Sequence, residues 1–214
     1  MRLHSIEDQA SLTPELALSF LKEGNKRFVE NLKAHSNLLE QVNNTKENQF
    51  PFAIILSCID SRTSAELIFD QGLGDVFSAR IAGNVLNDDI IGSMEFACKL
   101  AGSKLIVVLG HSNCGAITGA CKGTELGHLT HLLSKVDSAV QQVKNHNKDI
   151  DITSKEAVDK VSLQNVMYTL NNVLDRSEVL QNMFKKGEIG LVGAYYKVET
   201  GEVDFVKELF TTKD

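Results

Sequence analysis

Prolines are scarce: only Pro14 and Pro51 occur, and no repeat, low-complexity tract or Pro/Gly/Ser-rich stretch divides the chain. Nothing marks a linker, so the 214 residues read as one domain, long enough to bury a core. Long apolar runs are also missing. The longest, around Phe52–Leu56 and Leu105–Leu109, are strand-length and far too short to span a bilayer. Basic residues are the minority, with 22 Lys and Arg against 28 Asp and Glu for a net charge of −6. No local cluster of Lys and Arg offsets that balance, which argues against a nucleic-acid partner. The opening MRLHSIEDQA lacks the apolar segment of a secretory signal, so the expected compartment is the cytoplasm. Cysteines number four, too few for a disulfide scaffold. In a reducing compartment such thiols serve as core fillers, nucleophiles or metal ligands.

What is present is a regular alternation of elements. Thr13 reads as a helix cap with Pro14 at the first helical position. Leu16, Phe20, Leu21, Phe28 and Leu32 then recur at helical spacing, predicting an amphipathic helix to about Lys33. The polar stretch 37–48 reads as a helix end and loop. A buried strand is expected over Phe52–Leu56, a short helix over Ser64–Asp70 and a second strand over Val76–Ile81. Asp88–Ala101 reads as helix, closed by Gly102, and Lys104–Gly110 as the clearest buried strand. Helical segments follow from Ala116 to about His146 and from Lys155 to about Lys186. Ile189–Val198 and Val203–Leu209 read as two strands around a turn at Glu199–Gly201. The predicted class is α/β, with a mainly parallel central sheet flanked by helices and an N-terminal helical arm. In such sheets ligands bind at the carboxyl ends of strands, so the informative residues are expected after Leu56 and Leu109.

Those positions hold Ser57-Cys58-Ile59-Asp60-Ser61-Arg62 and Gly110-His111-Ser112-Asn113-Cys114-Gly115. Two thiols and one imidazole form a zinc-compatible set, and three protein ligands without a fourth suit a catalytic rather than a structural ion. Each piece alone is weak, since a cysteine after a buried strand is more often a core thiol. Together, at two strand ends, they favour a metal. Cys98 falls on the apolar stripe of its helix and Cys121 beyond the site, so both read as packing residues. Asp60 and Arg62 alternate with Cys58 along a segment expected to be extended, which puts all three on one side. The pair reads either as a plain ion pair or, beside a metal, as a hydrogen-bonding partner for a ligand held by the ion. His128 and His131 lack carboxylate or thiolate neighbours and read as solvated or packing residues.

The paired C-x-D-x-R and H-x-x-C, each after a strand, resemble the β-class carbonic anhydrases. The likeness extends over LTPELALSFLKEGNKRFVEN, CIDSR, GDVFSARIAGN, VVLGHSNCGAITGA and LVGAYYKVETGEVDF, nearly the whole chain. It implies a single domain over 1–214, with a helical arm at 1–36 and a zinc-binding α/β core at 50–214. It also implies one Zn2+ per chain on Cys58, His111 and Cys114, with Asp60 and Arg62 as a catalytic dyad. Gln49, nine residues before Cys58, matches a glutamine that in one subgroup hydrogen-bonds bicarbonate. The Gly115 N–H matches a substrate-orienting donor, and Phe77, Ala82 and Phe96 fall where the family lines a small apolar pocket. Two of these depart from the usual pattern: Ala82 is smaller than the common valine, and Phe96 replaces a frequent tyrosine. The chain has no tryptophan, so the Trp-containing bicarbonate regulatory site of the other subgroup is expected to be absent.

The implied reaction is reversible hydration of carbon dioxide to bicarbonate and a proton, by attack of zinc hydroxide in an apolar pocket. Water rather than Asp60 is expected to complete the zinc sphere near neutral pH. The family assembles as dimers or multiples of dimers, so a homodimer or homotetramer is expected, with the first helix reaching over a partner. Hydrolysis of carbonyl sulfide or carbon disulfide on the same ligands is the rival enzyme reading. A zinc-binding regulatory protein without turnover is the rival outside enzymology, though such a protein has no use for Asp60, Arg62 and Gln49.

Overall fold

A computed structural model describes residues 6–32 and 37–211. The described residues begin with a short helix, α1 (Ile6–Ser11), which the sequence pattern did not announce. Helix α2 (Pro14–Val29) begins as expected: the Thr13 side chain accepts from the Leu16 N–H, and Pro14 takes the first turn. It ends four residues before the expected Lys33, which lies outside the described residues. The reason is Asn31, whose φ of 57° is left-handed, a conformation asparagine tolerates at a helix exit. The buried stripe also differs from the predicted one. Ala17, Leu18, Phe20 and Leu21 face the core, whereas Leu16 and Leu32 are 45% and 59% exposed. Helix α3 (Leu38–Thr45) occupies the stretch read as helix end and loop.

The core is a five-stranded sheet built from β1 (Ala53–Ser57), β2 (Val76–Arg80), β3 (Leu105–His111), β4 (Gly190–Tyr196) and β5 (Val203–Leu209). Their order is β2-β1-β3-β4-β5, with the first four parallel and β5 antiparallel beside β4. β1, β3 and β4 are buried at every position, the mark of strands covered on both faces. Alternation sorts their side chains. Ala53, Ile55, Leu105, Val107 and Leu109 pack against α2 and α4 (Ala65–Ile68). Ile54, Leu56, Ile106 and Val108 pack on the other face against α5 (Asp88–Glu95), α9 (Lys155–Arg176) and α10 (Glu178–Lys185).

The predicted helix over Asp88–Ala101 continues past α5 as one wider, π-type turn, Phe96–Leu100, and Gly102 at φ +82° ends it. The segment read as helical from Ala116 to His146 is three helices: α6 (Gly115–Cys121), α7 (Gly127–Ser134) and α8 (Asp137–His146). Gly123 and Gly127 supply positive φ between the first two. The run from Lys155 to Lys186 divides at Ser177, whose side chain caps α10 by accepting from Leu180 N–H. From β1 the chain moves outward to β2, then returns across β1 to place β3 on its other side. That reversal opens a crevice between the carboxyl ends of β1 and β3, the switch point where open α/β sheets bind ligands.

Candidate metal centre

Parallel register sets the site. Ser57 on β1 stands opposite Leu109 on β3, so Cys58 leaves its strand beside Gly110 and His111. His111 is the last residue of β3 rather than the first of a loop. Ser112 and Asn113 then turn the chain, Asn113 at φ 55°, and deliver Cys114 to the cap of α6. The Cys58 and Cys114 sulfurs and a His111 ring nitrogen lie within 4.8 Å of one another, all buried. The two sulfurs are 3.9 Å apart. Two sulfurs bound at about 2.3 Å to one tetrahedral ion stand about 3.8 Å apart.

The imidazole is oriented as a ligand. His111 Nδ1 lies 2.9 Å from the Ser112 carbonyl oxygen, which can only accept, so the proton sits on Nδ1. Nε2 is then a lone-pair donor, and it is buried without a partner. Ser162 Oγ on α9 donates to the His111 carbonyl at 3.1 Å and fixes the strand end. On the cysteine side, the Gly83 N–H donates to Cys58 Sγ at 3.3 Å. The hydrogen bond shared between the two sulfurs pulls the Cys58 thiol down and pushes that of Cys114 up. Such a set of two soft sulfurs and an aimed imidazole nitrogen fits zinc, and three protein ligands are the number found at catalytic zinc.

Asp60 and Arg62 come together, but not as an extended strand. The chain turns over Asp60–Thr63, with Thr63 N–H donating to the Asp60 carbonyl at 3.0 Å. The turn lets the Arg62 Nε and Nη2 donate to Asp60 Oδ1 and Oδ2 at 2.9 and 2.8 Å, while the Arg62 backbone N–H donates to Oδ1 at 3.0 Å. These bonds from Arg62 hold the Asp60 carboxyl well below the usual carboxylate range. The fork occupies both oxygens, and Asp60 stands outside the group of three converging ligand atoms.

With this geometry in view, comparison with known proteins is decisive. A family model described as carbonic anhydrase matches residues 53–203. Carbonic anhydrase 2 of Mycobacterium tuberculosis is 35% identical, covering 88% of this chain and 90% of that protein. The carbonic anhydrase of Mycolicibacterium smegmatis is 32% identical over 92% and 95%. The chain belongs to the carbonic anhydrase family. Among solved structures, the β-carbonic anhydrase of Coccomyxa, determined in complex with acetazolamide, aligns at TM-score 0.72 with 25% identity, over 90% of this chain and 88% of that one.

The remaining predicted positions of this carbonic anhydrase divide. Ala82 lies in the short turn Ala82–Asn84 beside Cys58, and Gly115 opens α6 at the metal loop. Gln49, Phe77 and Phe96 do not converge on the metal within one chain. Gln49 is exposed and lies against the Gly74 turn. Phe77 stands opposite Ile54, four positions and so about 13 Å before the level of Cys58. Phe96 meets Phe77 edge-on at 6.1 Å between ring centres and is 53% exposed. Cys98 and Cys121 are buried core thiols, as expected, with burial pushing Cys98 up to about 12. His128 and His131 are exposed on α7.

Sequence reasoning missed two supports. Arg80, at the end of β2, donates Nε to the Cys58 carbonyl at 3.0 Å and Nη2 to the Asp60 carbonyl at 2.6 Å, bracing the loop that carries both. Glu199, in the β4–β5 turn, accepts from Ser112 Oγ at 2.7 Å and from Asn113 Nδ2 at 2.8 Å. It thereby grips both residues between His111 and Cys114. A carboxylate in a hairpin turn carries no sequence signal of that contact.

Proposed function

We propose that this protein catalyses the reversible hydration of carbon dioxide to bicarbonate and a proton, with one zinc ion on Cys58, His111 and Cys114. The carrying observation is the convergence of those three ligand atoms within 4.8 Å, with the Asp60–Arg62 fork beside but outside them. Zinc, when bound there, supplies a Lewis acid that makes water a nucleophile at neutral pH.

The chain's own groups do the rest. Arg62 keeps Asp60 ionised and anchored, so the carboxylate is available only as an acceptor. A water O–H directed at Asp60 is held with a lone pair toward the substrate carbon. The same fork keeps Asp60 from swinging onto the ion, which supports exogenous water rather than Asp60 as the fourth ligand near neutral pH. Gly115 is the first residue of α6, and its N–H is one of the helix-start donors without an intrahelical acceptor. It is suited to a developing bicarbonate oxygen. Ala82, with its small side chain, leaves apolar room beside Cys58.

Gln49, Phe77 and Phe96 complete the reading only if two subunits meet, and we assign them to the pocket of a partner subunit in a homodimer or a tetramer of such dimers. The exposure of Gln49 and Phe96 within one chain, the partial burial of Phe77, and the outer edge of β2, unpaired among the described residues, support that assignment. The glutamine-bearing subgroup follows from Gln49 and from the absence of tryptophan. We read 1–214 as one domain, an arm at 1–36 and a catalytic core at 50–214. Among the described residues no helix is long and apolar enough to cross a membrane. The two neighbouring thiols need a reducing compartment to stay available as ligands, which supports the cytoplasm.

Stopped-flow carbon dioxide hydration by wild type and Cys58→Ala, with zinc measured on both, tests the assignment. The expected result is about one zinc per chain and rapid hydration for wild type, both lost in the variant. Wild type with full zinc and no hydration would shift the reading to carbonyl sulfide or carbon disulfide as substrate.

A further inference from the structure

The metal ligand Cys58 is supported from a direction that neither motif contains. Its sulfur accepts the Gly83 N–H at 3.3 Å. Gly83 sits at φ +70°, and the following Asn84 at φ 42°, so two successive residues hold left-handed backbone. Such a turn is strained for Asn84 and floppy for Gly83 unless something restrains it. The restraint comes from α9. Asn165 Nδ2 donates to the Gly83 carbonyl at 2.9 Å, across 82 positions of sequence. Asn165 is 1% exposed. Its Oδ1 has no partner, so the bond to Gly83 is the one its side chain makes among the described residues. A buried amide that leaves half its capacity unused to reach one carbonyl has a specific task at that carbonyl.

We propose that Asn165 is a positioning residue for the metal centre: it pins Gly83 so that the Gly83 N–H stays on the Cys58 sulfur and limits how strongly that sulfur donates to zinc. The inference rests on the metal reading given above. An N–H aimed at a thiolate withdraws electron density from it, and a less donating sulfur leaves the ion more electrophilic. Packing reinforces the arrangement, because a side chain at Gly83 would sit 3.4 Å from Ala116 Cβ on α6. The turn is thus held between α6 and α9, with Asn165 supplying the polar contact.

The test uses the full chain loaded with Co2+ in place of zinc, which makes the thiolate-to-metal charge-transfer band visible. In Asn165→Ala the band is expected to move to lower energy, as the sulfur becomes the better donor. Hydration by the zinc-loaded variant is expected to fall about 10- to 100-fold, the usual effect of losing a partner behind a metal ligand. Asn165→Asp keeps the volume while replacing the donor by an acceptor, and should show the same shift if the alanine variant does not fold. Thr169→Ala, a buried polar residue one turn along α9, should lower the melting temperature without moving the band. An unmoved band in both Asn165 variants overturns the inference, as does an equal shift in Thr169→Ala. Failure of wild type to take up one Co2+ per chain overturns the metal reading itself, and the inference with it.

Discussion

At the scale of single residues, the metal loop is governed by a carboxylate that is not a ligand. Glu199 accepts from Ser112 and Asn113 and is bridged by Lys155 Nζ at 3.2 Å. The hydrogen bond from Ser112, with help from Lys155 and Asn113, draws its pKa from 4.5 down to about 2. A folded-state pKa below the unfolded one means that the carboxylate stabilises the fold above about pH 4.5. That contribution is lost as pH falls toward about 2. The melting-temperature gap between wild type and Glu199→Gln should therefore be constant from neutral pH to about 5 and close on further acidification. A gap independent of pH down to 3 would count against this role. Because Glu199 holds Ser112 and Asn113, the two residues between His111 and Cys114, Glu199→Gln should also weaken zinc binding about tenfold, readable by competition with a chromophoric chelator. The local part of the dyad is legible in sequence, since Asp60 and Arg62 are two positions apart. Its geometry is not: the fork forms because the chain turns at Ser61–Arg62, where alternation suggested an extended segment.

Among elements, the decisive contact is α9 lying close over β3 and β4. Gly110 precedes His111, and a Cβ there would stand 2.5 Å from Val166 Cγ2. Gly193 on β4 faces the same valine, its Cβ position 3.1 Å from Val166 Cγ1. Two glycines on neighbouring strands thus admit the helix that carries Ser162 and Asn165 to the site. Gly110→Ala should destabilise the protein by about 1–3 kcal/mol through overpacking, measured by urea unfolding. In a Val166→Ala background the same change should cost clearly less, because the clashing methyl is gone. Additive losses in the double variant would show that the contact is not the cause. The sequence announced β3 as a continuous apolar run, but the helix breaks at Ser177 and after Cys121 stayed hidden. Both segments keep helical spacing through the break, and only a capping serine or a pair of glycines interrupts them.

For the whole molecule, one chain presents half of what its residues imply. Cys58, Asp60, Arg62, His111 and Cys114 meet within it, whereas Gln49 and Phe96 are exposed and Phe77 is partly buried at a distance from them. Leu16 on α2 and Leu38, Leu39 and Val42 on α3 are exposed apolar residues elsewhere on the same chain. Light scattering across a dilution series should give a mass of at least two chains, and Phe96→Asp should lower both the mass and the hydration rate. A fully active monomer would remove the partner-subunit assignment of Gln49, Phe77 and Phe96 and leave the metal centre untouched.

The sequence by itself determined the chemistry of the centre and its address: two thiols, one imidazole and an Asp-x-Arg, each following a run apolar enough to be a fully buried strand. Those features are local, and local spacing records them. Tertiary structure decided what requires distant segments to meet. Parallel pairing of Ser57 with Leu109 brings Cys58 to His111 across more than fifty positions. The Ser112 carbonyl selects the His111 tautomer. Arg80 and Glu199 reach the metal loops from a strand end and a hairpin turn, and Asn165 reaches the Gly83 turn from a helix. Each makes contacts set by sheet order and helix placement rather than by its neighbours in the chain, and so left no pattern in the sequence to read.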